Sequence, residues 1–449
     1  MLQNALLFLR LAAYILNVLG SEIRRHAETT ALSTLSYLSF SSYSSSSPVS
    51  QTKNIVIVGG NFAGHYVARS LLRHLPRRSP LRVIVVEPSS HFHFTWVFPR
   101  YSVLPGHEHK AFIPYDAFLS RHSSSSSSSS SPALRWIRDW ATEITPKHVV
   151  LKGGEQIPYE YLVVATGSRV DSGLPSRANE TDKRAAMRRL RELQDGIRGA
   201  EKVVVVGAGA AGVEVAADAR SLYPGKSVAL VHSRDAVMHR FGPELQARAL
   251  AELRDLGVEV VLGERVVGED VGGSGTVTLR SGRVMECDYL VKCTGQKPNS
   301  NLVAALSPSS ISDSGHVKVL PTLQIADPAL PNVYACGDVA ALAGDGPVPN
   351  PNARSAIRQA ATVVDNVLLG ARRGKEPAYM YRHSWADGLI KLTLGLKFSI
   401  SWFGDSTAEL LFPKTEKNEA LWADRCWGHV GAKPFQDPYM DKVEREGSS

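Results

Sequence analysis

The chain has 449 residues, enough for two or three domains with sizeable cores. Its formal charge of +8 and isoelectric point near 9.2 would suit an anionic partner, but the basic residues are spread along the chain without a compact patch interleaved with aromatics, so no specific nucleic-acid partner is expected. Four cysteines, Cys287, Cys293, Cys336 and Cys426, are too few and too scattered for a disulfide framework or a zinc site, which points to a reduced compartment and no metal.

Residues 1–20 are apolar apart from Gln3, Asn4, Arg10 and Asn17. On a helix Gln3, Arg10 and Asn17 fall within about 40° of one another, a narrow polar stripe on a greasy surface, which predicts a helix lying in or shallowly crossing a membrane surface. Arg10 argues against a simple span, because a charge at the bilayer centre costs roughly 2.5–3.5 kcal/mol. Leu2 excludes an N-myristoyl anchor. Residues 21–53 carry Arg24, Arg25 and many serines with only Glu22 and Glu28 as acids, the composition of an organelle transit segment, compatible with a mitochondrial destination. The leader, residues 1–50, is therefore expected to be a membrane or targeting element that is largely disordered.

From Ile55 to Val58 four β-branched residues predict a buried strand, followed by Gly59-Gly60-Asn61-Phe62-Ala63-Gly64 and an Ala/Leu/Arg-rich helix. The helix start offers free backbone N–H groups and about half a unit of positive charge to a pyrophosphate. A second apolar strand, Arg82–Val86, ends in Glu87, close to the roughly 20-residue spacing from Gly64 that places a carboxylate on a ribose diol. Asn61 departs from the fingerprint at its middle glycine; Asn tolerates left-handed backbone angles, so this reads as variation, not loss. Phe94, Trp96 and Phe98 alternate and would share one face of an extended strand, either walling an acceptor pocket or simply packing. Nine serines, Ser123–Ser131, read as a flexible surface insertion.

The pattern returns at Val203–Val206 with Gly207-Ala208-Gly209-Ala210-Ala211-Gly212 and a helix through Leu222. The strand after it ends in His232-Ser233-Arg234, with no acid at the ribose position; Arg234 can meet a 2′-phosphate, so NADPH should be accepted at least as readily as NADH. Two fingerprints in one chain divide the labour, the first holding FAD and the second an exchangeable NAD(P)H. Ala165-Thr166-Gly167 and Cys293-Thr294-Gly295 end apolar strands where the chain would cross between domains. Val333–Cys336 runs into Gly337-Asp338, which places a carboxylate either as a helix cap or on the flavin's ribityl hydroxyls. Asn352–Ala361 reads as a helix whose first turn faces the flavin's pyrimidine carbonyls.

The order of these motifs resembles the two-dinucleotide-binding-domain flavoproteins, and within them the apoptosis-inducing-factor-like and ferroptosis-suppressor-like branch related to type II NADH dehydrogenases. The residues carrying the resemblance are Gly59–Gly64, His91–His93 through Phe112–Tyr115, Gly207–Glu214, His232–Arg234 and Ala335–Asp338. It implies an α/β fold with two Rossmann-like dinucleotide-binding domains in the manner of glutathione reductase, plus a small C-terminal α+β region. FAD-binding segments are expected over 51–168 and 296–375, an NAD(P)H-binding domain over 169–295, and a tail over 376–449 that packs on the flavin domain and lines the acceptor site, meets a second copy in a homodimer or touches a membrane. The resemblance also implies hydride transfer from NAD(P)H through FAD to a quinone-like acceptor, with Lys110 near the flavin and Glu214 facing the nicotinamide and flavin rings, both of which could equally form an interdomain ion pair. Residues 64–120 hold no cysteine, so the redox pair of the related disulfide reductases is missing. A tailoring oxidoreductase of small-molecule biosynthesis and a slow redox-sensing flavoprotein with a signalling role stay open as alternatives.

Overall fold

The computed structural model describes residues 2–38, 53–75, 80–122, 134–272, 275–344, 351–404, 408–438 and 440. The serine run Ser123–Ser131 and leader residues 39–50 lie outside the described residues.

Two parallel sheets organise the chain. In the first, the strands Val333–Ala335, Tyr161–Val164, Lys53–Val58, Leu81–Val86 and Leu134–Ile137 lie side by side in that order. Its inner strands are fully buried because the helices Phe62–His74 and Ala353–Arg373 pack together against it, which is why they read as unbroken β-branched runs. In the second, the order is Glu259–Val261, Ser227–Val231, Lys202–Val206 and Tyr289–Lys292, again all parallel. The first sheet thus takes its edge strand Val333–Ala335 from beyond the second sheet in sequence. The two crossings between the lobes, Ser168–Val170 and Gln296–Pro298, pair antiparallel with each other.

The tail departs from expectation. Its three-stranded sheet, Ile390–Thr393, Phe398–Gly404 and Glu409–Thr415, packs on the nucleotide lobe, where Leu392, Leu394, Ile400 and Trp402 share a core with Val213 and Leu230. The helix Ala423–Val430 joins a different cluster with Phe92, Phe112 and Leu190. The tail therefore bridges both lobes, because its apolar strand face and its aromatic helix match different partners. Buried Arg100 fastens the junction: its Nε donates to Asp218 Oδ2 at 2.6 Å and its Nη2 to the Gly395 carbonyl at 3.0 Å.

Nor is the leader disordered from residue 21. A single helix runs Leu2–Leu38. The charges read as a transit signal have partners on the body: Arg25, 2% exposed, donates through Nε to Asp365 Oδ1 at 2.8 Å, and Arg24 reaches Asp365 Oδ2 at 2.9 Å. Tyr66 donates to Glu22 Oε1 at 2.9 Å. Ion pairs with the helix Ala353–Arg373 supply the docking that composition could not show.

The alternating aromatics are not on a strand. Thr95–Val97 is a 3-10 turn that runs into a short helix, Phe98–Tyr101, because Pro99 fits a first helical turn and cannot donate to a strand ladder. Phe94 and Trp96 face the cleft between the lobes, whereas Phe98 is wholly in the core.

Candidate functional site

One continuous cleft of about 3590 Å³ separates the lobes, several times the roughly 300–1,000 Å³ of an ordinary small-molecule pocket and large enough for two dinucleotides and an acceptor.

The first glycine turn forms one wall. Gly59 has φ +102°, and a Cβ there would stand 2.4 Å from the Ala165 carbonyl; a Cβ on Gly64 would stand 1.8 Å from the Gly59 carbonyl. Glycine is thus what lets strand, crossing and helix approach closely enough to turn the first N–H groups of the helix toward the cleft. Gly60 donates its N–H to Glu87 Oε2 at 2.6 Å, and Ser89 donates to Oε1 at 2.7 Å. Burial pushes the Glu87 carboxyl up while these two bonds pull it back.

Asn61 is in extended backbone at φ −83°, so its tolerance of left-handed angles is not used. Its carboxamide exchanges two 3.1 Å bonds with the backbone of His93. The side chain is thereby turned away from the helix start, which removes the crowding of a phosphate that an Asn would otherwise cause. Phe62 packs edge-on against Phe92, with ring centroids 4.8 Å apart, and Ala63 stands under Gly337, whose Cβ would come within 3.3 Å of the Ala63 methyl.

Opposite, Thr166 donates Oγ1 to the Asn299 carbonyl at 2.7 Å, and Gly167 turns the crossing at φ +66°. Asp338 caps no helix: the strand Ala340–Leu342 follows it, and its carboxylate pairs with Arg177 at 2.7 Å and accepts from Ser168 Oγ at 3.3 Å. Gly337 donates its N–H to Gln359 Oε1 at 2.8 Å. The helix Ala353–Arg373 opens at Asn352, which caps the Ser355 N–H at 2.9 Å, and its first turn lines the cleft as expected.

The second glycine turn repeats the geometry. Gly207 has φ +103°, a Cβ on Gly212 would stand 1.8 Å from the Gly207 carbonyl, and Gly209 caps the helix Ala210–Leu222. Here His232 does what Glu87 does in the first turn, its Nδ1 accepting the Ala208 N–H at 3.2 Å. That bond leaves the proton on Nε2, directed at His239 Nδ1 at 3.2 Å. Burial, with His239 and Arg234 adding, lowers the His232 imidazole to about 4, so it is neutral at pH 7.

Arg234 does not reach the cleft. It is exposed, and its carbonyl accepts the Gly263 N–H at 2.8 Å as the loop turns back. The guanidinium groups that line the nucleotide end are those of Arg240 and Arg265. Sequence spacing fixes where a strand ends but not which way the following loop bends, and the arginines that line the cleft near His232 include two that the spacing did not single out.

Glu214 lies deep in the cleft wall, and its Oε1 accepts both the Thr393 N–H at 3.0 Å and the Thr393 hydroxyl at 3.1 Å. Burial, with the Asp218 charge adding and Arg100 opposing, raises its carboxyl to about 8. Burial thus favours its neutral form near pH 7, and Oε1 already accepts two donors. Lys110 is not in the cleft. The 3-10 turn Glu108–Ala111 sends it the other way, its Nζ 3.0 Å from His107 Nδ1 and 5.2 Å from the centroid of the Phe435 ring. Neither a place in the cleft nor an ion pair with Glu214 is found for it in this structure. All four cysteines are free, and burial pushes the Cys293 and Cys336 thiols up to about 12, far from a reactive thiolate. The cleft is also lined by Arg177, His239, Arg240 and Lys391, none of which sits at a fixed offset from a fingerprint.

A family model for pyridine nucleotide-disulphide oxidoreductases matches residues 53–364. Fe-regulated protein 8 of Mycosarcoma maydis is 32% identical over 369 residues, covering 78% of this chain and 89% of that protein. Ferroptosis suppressor protein 1 of Xenopus tropicalis is 28% identical over 393 residues, covering 85% and 97%. Among solved structures, an engineered water-forming NADPH oxidase bound to NADPH superposes with a TM-score of 0.61 at 20% identity, over 79% of this chain and 76% of that one, a likeness of fold.

Proposed function

The chain belongs to the pyridine nucleotide-disulphide oxidoreductase family, and from that premise we propose that it carries reducing equivalents from NAD(P)H through FAD to a quinone-like acceptor at a membrane surface. That it is an FAD-dependent oxidoreductase using NAD(P)H follows from the family. The first glycine turn fits FAD: the close glycine approaches leave no room for any other side chain, and Glu87, whose carboxylate accepts the Gly60 N–H at 2.6 Å beside that turn, would hold the ribose diol. On this reading Gly59–Gly64 hold the pyrophosphate, Asp338 the ribityl hydroxyls, and the start of the helix Ala353–Arg373 the pyrimidine edge. FAD, when bound, supplies the two-electron chemistry between nicotinamide and acceptor.

The observation that carries the acceptor is the aromatic pair Trp96 and Trp422, which line the cleft with ring centroids 5.4 Å apart, together with the absence of a cysteine on the helix after the first glycine turn. An apolar aromatic wall suits a flat, uncharged ring. The membrane surface is supported by the leader helix. Its stretch Leu6–Glu28, mean hydropathy 1.6, is long and apolar enough to cross a membrane, and Leu6, Phe8, Leu9, Ile15 and Leu16 are exposed on it. The latch of Arg24 and Arg25 to Asp365 holds its second half on the body, which favours a helix lying in the interface. Vesicles loaded with a long-tailed quinone test both parts. The full chain should oxidise NADPH with the embedded quinone and with a short-chain soluble one. Deletion of residues 2–20, which keeps the latch, should retain the soluble reaction and lose most of the embedded one. A full chain that reduces neither, yet bleaches with NADPH, would refute the quinone reading; a deletion that treats both alike would refute the membrane one.

For the nucleotide, Arg240 replaces Arg234 as the proposed reader of the 2′-phosphate. Charge-assisted bonds are worth about 1.5–3 kcal/mol, so Arg240→Ala should raise the KM for NADPH roughly 10- to 100-fold and leave NADH unchanged. Arg234→Ala should change neither. Equal losses for the two nucleotides in Arg240→Ala would show that it does not discriminate.

A further inference from the structure

The strand Ile390–Thr393 turns Lys391 and Thr393 to one face, two residues apart, and Thr393 is the residue that holds Glu214. Lys391 is a cation with unspent donors. It is 8% exposed and lines the cleft. Glu416 Oε1 stands 2.6 Å away and pairs with the ammonium while also accepting the Ser399 hydroxyl at 2.6 Å; that contact engages one of the three ammonium donors and leaves two. The other side of the ammonium is aromatic: Nζ lies 4.3 Å from the centroid of the Trp422 ring and 5.9 Å from that of Trp96. The two indoles stand 5.4 Å apart at 31°, too close to admit a third ring between them, while Trp422 is 39% exposed.

Packing alone does not account for this. Burying an ammonium costs several kcal/mol unless its donors are met, and an apolar side chain would fill the same space among two indoles without that cost. An ammonium held against an aromatic face with two of its N–H groups unspent is arranged for an oxygen arriving from the cleft. We infer that Lys391 anchors the electron acceptor, donating an N–H to a carbonyl oxygen of a planar carbonyl compound that lies against Trp422. This rests on the quinone-like reading of the acceptor and adds the group that grips it.

The balance is complete. NAD(P)H, one proton and a quinone give NAD(P)⁺ and the hydroquinone; both carbonyl oxygens end as hydroxyls, and negative charge gathers on oxygen until the last proton arrives. Lys391 opposes that charge, and so acts more strongly as reduction proceeds than in the starting complex. It positions and stabilises, and takes no electrons itself.

The test uses the full chain with its FAD bound, NADPH as donor, and two acceptors: p-benzoquinone, and ferricyanide, which has no carbonyl. Lys391→Met keeps the stem and removes the charge. Its kcat/KM for benzoquinone should fall about 10²-fold, while ferricyanide reduction and anaerobic bleaching by NADPH stay at the wild-type level. Glu416→Gln, which breaks the ion pair and keeps the ammonium, should remain near wild type with benzoquinone. If Lys391→Met loses both acceptors equally, or Glu416→Gln matches it, the pair is a packing device and the inference is overturned. A wild type that reduces ferricyanide but no quinone removes the quinone reading and this inference with it. A wild type that reduces both, with Lys391→Met unchanged, removes the anchor alone.

Discussion

Glu87→Ala is expected to purify with less than about a tenth of the FAD that the wild-type chain retains, read from the ratio of visible flavin absorbance to protein absorbance. Two losses combine. A carboxylate on a ribose diol makes charge-assisted bonds of about 1.5–3 kcal/mol each, so losing two weakens binding roughly 10²- to 10⁴-fold. The same carboxylate accepts the Gly60 and Ser89 N–H groups. Its removal strands the Gly60 donor at the point where the glycine turn meets the pyrophosphate, a further cost of about 1–3 kcal/mol. A fully yellow Glu87→Ala protein would exclude the ribose role and leave Glu87 as a brace of the turn.

The second large effect is on pH. On the proposed quinone reading, reduction consumes a proton, and Glu214, its carboxyl raised to about 8 chiefly by burial, would hold one. For an acid the neutral form predominates below the raised value, so the proton is present at pH 7 and is lost as pH rises. The rate with benzoquinone should therefore be flat between about pH 6 and 7.5 and fall nearly tenfold per unit beyond about 8. Glu214→Gln should lower kcat by roughly 10²- to 10⁴-fold at pH 7, the range for a general acid, and abolish the break. Ferricyanide, which takes no proton, should show neither the break nor the loss. A break that persists in Glu214→Gln would move the titration to another group. Asp218 and Arg100, one turn further along the same helix and across the lobe junction, set this value from opposite sides, which gives the buried pair a use beyond fastening the tail.

The neutral His232 bears on the nucleotide in the same way. A carboxylate in its place would repel a 2′-phosphate, whereas an uncharged Nδ1 acceptor satisfies the Ala208 N–H without repelling it. On the proposed reading, acceptance of NADPH would begin with what is missing at the ribose position, separately from any arginine that reads the 2′-phosphate.

Much of the fold is written locally. Four β-branched residues, a glycine turn and an apolar helix can be read from neighbours in the chain, because close backbone approach and a helix start are short-range requirements; both glycine turns, Glu87, Glu214 and the family follow from them. What the sequence could not decide is the direction in which irregular segments leave those elements. Arg234, at the expected offset, and Lys110, implied by the resemblance, are not among the cleft-lining residues, since a bend after His232 and a 3-10 turn at Glu108–Ala111 are settled by what each segment packs against. Likewise, the leader's arginines gave no sign in the sequence that they pair with Asp365, more than 300 residues later. Lys391 carries no local signature at all: a lysine in an apolar strand acquires its chemistry only when Trp96, Glu416 and Trp422 are folded around it. The sequence by itself determined the two nucleotide cradles, which are contacts within some thirty residues of chain. Only the tertiary structure decided which side chains meet between them, because burial and pairing across long stretches of chain depend on the packing of the whole.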